Sequence, residues 1–145
     1  MKYGIIKVAS AVPTVKVADC NANTKEIELL IAQASSQGAE VVVFPELSIT
    51  GYSCQDLFRQ QLLIDAAENC VMQILEFSRQ LDIISIVGAP VVVGDLLLNC
   101  AIVMQSGKIL GIVPKTFLPN YSEFYEKRWF ASAQDLRPQN IRYAG

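Results

Sequence analysis

Histidine is missing from all 145 residues. That one absence removes Ser-His-Asp and Cys-His catalysis and most zinc sites. Cysteine is scarce and dispersed: Cys20, Cys54, Cys70 and Cys100 stand 34, 16 and 30 residues apart, with no CxxC pair to build a zinc ribbon or a thioredoxin motif. A chain this apolar can form a core without disulfide staples, so the thiols are expected to be reduced and mostly buried, the compartment cytoplasmic, and no metal bound. Charge is also low, at 18% of residues against 52% hydrophobic, which excludes a disordered chain. A net charge of −2 offers no overall cationic field for nucleic acid. Long apolar runs are lacking as well. The most apolar stretch, residues 83–104, is broken by Gly88, Pro90, Gly94, Asp95 and Asn99, whereas a membrane span needs roughly 18 or more apolar residues. The opening MKYGIIKVAS has too short an apolar run before Lys7 for a secretory signal.

What is there alternates between apolar strands and amphipathic helices. Residues 3–12 read as a buried strand. A helix follows, with Asn23 and Glu26 at capping-box spacing, Ile27, Leu30, Ile31 and Ala34 on one face, and Gly38 at the C-terminal cap. Val41–Val42–Val43–Phe44 is a short apolar run stopped by Pro45, as expected of a strand buried on both faces. These 45 residues make one strand–helix–strand unit, which joins parallel strands. After a loop, residues 57–81 predict a long helix with Leu63, Ala67, Cys70, Ile74, Phe77 and Leu81 spaced 4, 3, 4, 3 and 4; such a stripe packs on a sheet. Residues 83–87 are the next strand, resumed at 90–93 after a break. Residues 96–105 and 108–113 flank Ser106-Gly107, a hairpin signal. The tail mixes aromatics and charges, and residues 140–145 resemble the start of another strand. The fold class is α/β, with more two-sided apolar strand than the chain's own helices can cover.

Two ionisable residues follow strand-plus-proline junctions. Glu46 comes after VVVF-Pro, at the carboxyl end of a parallel strand, where ligands bind in open α/β sheets. A carboxylate there can serve as a general base or sit as a solvated loop charge. Lys115 comes after ILGIV-Pro and is, taken alone, an ordinary solvated lysine. Together they form the minimum acid–base and cationic set for acyl transfer, without a nucleophile.

FPELSITGY at residues 44–52 and VPKTFLPNYSEFYEKRWF at 113–130 resemble the first two catalytic blocks of the nitrilase superfamily of carbon–nitrogen hydrolases. The second block, with GYSCQDLF at 51–58 and LLNCAIVMQSGKILG at 97–111, is most similar to the glutaminase domains of glutamine-dependent NAD synthetases. The resemblance implies that Glu46 is the general base for a cysteine thiol and that Lys115 stabilises the oxyanion as a glutamine amide is attacked. It implies that Glu123, eight residues further on, is an additional carboxylate near the centre. Tyr52 and Tyr121 would line the glutamine pocket, or pack as aromatics under a loop.

In that family the nucleophilic cysteine follows a third strand, downstream of the lysine block, and no cysteine follows Lys115. Cys54 is the nearest substitute, yet it precedes a helix instead of following a strand. The chain alone is therefore expected to be inactive. Residues 1–145 are expected to form the first half of a nitrilase-like four-layer α-β-β-α sandwich, a partial domain with no second domain. The missing half and a synthetase domain using ATP and deamido-NAD would lie elsewhere in a longer, homo-oligomeric enzyme whose glutaminase part needs no cofactor. Neither a GxxxxGK loop nor an SGGxDS-like run is present. A stand-alone nitrilase-type amidase, or an inactive module that binds a partner through its sheet, are the alternatives.

Overall fold

The computed structural model describes residues 4–137 and 139–144. Five strands form one sheet in chain order: β1 (Val8–Ser10), β2 (Val41–Val43), β3 (Ile84–Val93), β4 (Leu96–Gln105) and β5 (Lys108–Pro114). β1, β2 and β3 run parallel, and β4 and β5 are antiparallel additions. The mixed α/β expectation holds. Helix α1 (Cys20–Ser36) connects β1 to β2, and α2 (Gln61–Ser78) leads into β3. No helix among the described residues is long and apolar enough to cross a membrane. All four cysteines are free and buried.

Strand pairing sorts the side chains onto two faces, because paired residues point the same way and neighbours alternate. Val42, Val87, Ile102 and Met104 fall on the face covered by the helices, each at 0% exposure. Leu98 and Cys100 continue this face, where residues of the 133–141 segment enclose a cavity of about 710 Å³. Ile86, Val103, Leu97 and Ala101 point to the opposite face and are only partly buried, while Val43 and Val92 are exposed there.

Local chemistry explains most element ends. Gly38, at φ +76°, closes α1 in a Schellman arrangement, with Gly38 N–H on Ser35 O and Ala39 N–H on Ala34 O. Ser106 and Gly107 both take positive φ, as a two-residue hairpin requires. β5 carries one residue too many against β4: Val103 pairs with Gly111 but Met104 pairs with Ile109, so Leu110 bulges out.

Several expectations need correction. The first strand is three residues long and largely exposed, Val8 at 57%, because it is the sheet edge with a single neighbour; Tyr3 lies outside the described residues. The α1 cap is Asp19, which accepts from Ala22 N–H at 3.0 Å, not Asn23. Asn23 is inside the helix and fully buried, accepting from Lys16 N–H and donating to the Lys16 and Ile49 carbonyls. The predicted long helix starts later, after a kinked 3-10 segment, Tyr52–Arg59. β3 passes through Pro90 unbroken, since β2 pairs with it only as far as Ile86 and makes no demand for an N–H at 90. Residues 139–144 form no strand; Ala144 N–H instead bonds to Glu68 on α2 at 2.9 Å.

Candidate active site

The Glu46 loop lies directly on β3. Ile49 N–H donates to Gly88 O at 3.1 Å, and Gly88 N–H donates to Ser48 Oγ at 3.1 Å. A Cβ at Gly88 would stand 2.2 Å from Leu47 N, so only glycine permits this approach. The loop turns through Leu47 at φ +51°, a left-handed conformation that a leucine adopts only when its surroundings hold it there. Leu47 itself is fully buried, so packing fixes the residue next to Glu46.

Lys115 is presented from the end of β5, the edge strand furthest from β1. Its N–H donates to Asn99 O at 2.8 Å, which extends the β4–β5 ladder one residue beyond Pro114. That register puts Asn99 and Lys115 on the less covered face, the face on which Gly88 carries the Glu46 loop.

There the side chains meet. Lys115 Nζ donates to Glu46 Oε1 at 2.7 Å and to Glu126 Oε1 at 2.9 Å. Asn99 Nδ2 donates to the same Glu46 oxygen, and Tyr52 Oη donates to Glu126 Oε1 at 2.8 Å. Glu46 is 40% exposed, Lys115 28% and Glu126 1%. The three charged groups therefore run from solvent into the protein. Burial opposes the ammonium charge, but the hydrogen bonds and negative charge of Glu46 and Glu126 outweigh it, and the Lys115 pKa is raised. Lysine is thus held as a cation. Burial, followed by the Glu126 hydrogen bond and charge, pushes the Tyr52 hydroxyl well above the usual phenol range.

A second set of contacts clasps the two site segments together. Arg128 grips Asp56 with two hydrogen bonds of 2.7 and 2.8 Å, and Trp129 Nε1 donates to Asp56 at 2.8 Å. Phe58 packs against Phe130 with ring centroids 4.9 Å apart. The Arg128 guanidinium beside Asp56 holds that carboxyl well below the usual range.

The structure joins Glu46, Lys115 and Tyr52 in one network. It does not bring in Glu123, which is exposed; it sits in the turn that begins at Ser122, φ +50°, ahead of the 3-10 helix Glu126–Arg128. The second carboxylate on Lys115 is Glu126. The sequence does not single it out, because Glu123, flanked by Tyr121, Phe124 and Tyr125, has an equally aromatic setting. Tyr121 is 68% exposed and meets Phe124 edge-on at 5.9 Å, and Phe124 in turn meets Tyr52 at 6.3 Å. Asn99, too, went unremarked as a site residue; a buried amide in the apolar run LLLNCAIV was the available signal.

The cysteines stand apart from this cluster. Cys54 is 2% exposed, donates to Thr50 O at 3.1 Å, and has its thiol pKa raised by burial, the reverse of an activated nucleophile. Burial also pushes the Cys100 thiol up to about 12. The Cys70 thiol is lowered, first through its hydrogen bond with Cys20, but both sit between α1 and α2, away from the site. Among the described residues, no group of three or more His, Cys, Asp or Glu side chains could hold a metal ion.

Comparison with known proteins gives a consistent picture. Residues 7–142 match the family described as carbon-nitrogen hydrolase. The chain is 36% identical over 132 residues to the glutamine-dependent NAD(+) synthetase of Mycobacterium leprae, covering 91% of this chain and 19% of that protein. It is 37% identical over 119 residues to the enzyme of the same name from Aquifex aeolicus, covering 82% and 21%. The chain thus spans about a fifth of the length of these curated relatives. Among solved structures, a glutamine-dependent NAD(+) synthetase from Cytophaga hutchinsonii superimposes with a TM-score of 0.79 at 31% identity, over 88% of this chain and 22% of that one. An amidase from Nesterenkonia sp. shares the fold, with a TM-score of 0.76 at 24% identity over 97% of this chain and 52% of its own.

Proposed function

The chain belongs to the carbon–nitrogen hydrolase family, and on that premise we propose that its Glu46–Lys115 centre serves glutamine amide hydrolysis. The ammonia released would be used by a synthetase domain of a longer protein to make NAD from deamido-NAD with ATP. The observation that carries this reading is the 2.7 Å contact between a solvent-reaching carboxylate and a lysine from strand ends 69 residues apart. The names of the relatives supply the amide: both are glutamine-dependent NAD(+) synthetases.

In this mechanism Glu46 takes the proton of a cysteine thiol, because a free thiol with pKa about 8.5 is mostly protonated at neutral pH. The thiolate attacks the amide carbon. Lys115, fixed as a cation, stabilises the negative oxygen that forms. The protonated Glu46 then returns its proton to the leaving nitrogen, and ammonia departs from an acyl-enzyme that water cleaves. Glu126, itself fixed by the Tyr52 hydroxyl, holds Lys115 from beneath. Glu123, outside the network, is not assigned a role near the reacting atoms, and Tyr121 is proposed as a rim contact for glutamine. We place the nucleophile outside these 145 residues, since the four cysteines present are buried away from Glu46 and Lys115.

Glu46→Gln in the longer protein keeps the side chain's shape and removes the base. Ammonia release from glutamine should fall by about 10²-fold or more; unchanged release rejects the role. The 145-residue chain alone should release none above background. Release at the rate of the longer protein would instead put the nucleophile among Cys20, Cys54, Cys70 and Cys100.

A further inference from the structure

Asn99 touches both members of the Glu46–Lys115 pair, and by different groups. Its backbone carbonyl accepts from Lys115 N–H at 2.8 Å, so it sets where the lysine leaves the ladder. Its side-chain Nδ2 donates to Glu46 Oε1, the oxygen that also receives Lys115 Nζ. Asn99 is 4% exposed and lies within β4, opposite Pro90 of β3, so its side chain has little freedom. Both donors converge on one carboxylate oxygen. Among the described residues none donates to the other, Oε2, and Glu46 is the most exposed of the three charged groups.

From this we infer that Asn99 is a positioning residue: it pins Glu46 Oε1 so that Oε2 is presented to the thiol. The inference rests on the reading of Glu46 as the base. An amide is suited to the task in a way that a second cation is not. It donates to the carboxylate without adding charge, so it orients Glu46 without neutralising it. A base that has lost that donor would be misdirected.

The test uses the longer protein with glutamine, comparing Asn99→Leu, Asn99→Asp and Glu46→Gln. Asn99→Leu keeps the volume and removes the donor. It should lower kcat by about 10-fold to 100-fold with little change in KM, as misplacement of a catalytic group does. It should also move the acid limb of the kcat/KM profile to higher pH. Asn99→Asp should move that limb further, since a carboxylate beside Glu46 adds like charge. An acid limb that stays in place in both variants overturns the inference, whatever happens to kcat. If Glu46→Gln remains active, the base reading itself fails and the positioning role falls with it; if Glu46→Gln is inactive while both Asn99 variants behave as the parent, only the positioning role fails. Should the variants not fold, the unaltered protein still answers. The Asn99 side-chain amide proton resonances should titrate with the midpoint of the acid limb, and a flat response overturns the inference.

Discussion

The two faces of the sheet are built from equally apolar strands and have come to different uses. On the helix-covered face, Val42, Val87, Ile102 and Met104 are completely buried and carry no charge. On the other, their immediate neighbours Val43, Ile86 and Val103 keep some exposure, and at one end Glu46, Asn99 and Lys115 converge. Hydropathy does not separate the faces, because both read as Val, Ile and Leu. What separates them is the pairing register, which decides which member of each adjacent pair lies under α1 and α2. A cavity of about 710 Å³ lies on the covered face, yet its strand lining, with Val91, Leu98 and Ile112, is apolar but for the Cys100 thiol, which burial pushes up to about 12. Chemistry here follows convergent charge, not volume.

The sharpest way to break this comparison is to truncate adjacent residues of β4. Ile102→Ala on the covered face should cost about 2–5 kcal/mol, the range for a buried isoleucine or leucine, in chemical denaturation of this chain. Val103→Ala, one residue on and only partly buried, should cost about 1 kcal/mol. Equal losses would mean that the less covered face is as tightly packed as the other. Lys115→Met leaves the buried Glu126 without its cation, so it should cost stability as well, and it should lower kcat for glutamine in the longer protein by about 10²-fold, as loss of an oxyanion stabiliser does. If KM alone rose, Lys115 would be a binding group.

Gly88→Ala probes the join between sheet and site. The added methyl would stand 2.2 Å from Leu47 N, so the Glu46 loop must lift. About 1–3 kcal/mol of stability should go with it, together with most of the turnover. Retained turnover would show that the loop tolerates displacement. The smallest effect expected is alkaline. Lys115 and Tyr52 both have raised folded-state pKa values. Each therefore contributes stability that is complete below its unfolded pKa and is lost as pH rises through the folded one, a window opening near pH 10. Stability measured across that window should fall less steeply in Tyr52→Phe than in the parent.

The legible parts of the molecule were those where local chemistry is enough. Gly38 ends a helix and Ser106-Gly107 turns a hairpin wherever they occur in such patterns, and Glu46 and Lys115 stood out because proline marked each strand end. Asn23 misled because an asparagine near a helix start looks like a cap, whereas its amide is used 26 residues away on Ile49. Glu126 was hidden for a similar reason. Nothing local distinguishes it from Glu123; only the turn at Ser122 and the packing of Phe58 on Phe130 decide which carboxyl goes inward. Asn99 reads as an interruption in a strand until Pro90, opposite it, and the Glu46 loop are in place.

The extra residue in β5 has an arithmetic consequence. Counting back from the hairpin without a bulge, Leu110 would pair with Val103 and Lys115 would stand opposite Leu98, an odd step out of phase and under the helix-covered side. By absorbing Leu110, the bulge restores the count, pairs Gly111 with Val103, and delivers Lys115 beside Asn99. An insertion of one residue between Gly111 and Pro114 would turn the lysine to the covered side, whereas an insertion of two would keep its face but move it along β4 to stand opposite Leu97. The side on which this lysine emerges is thus a matter of parity, kept by a leucine that has no partner in the ladder.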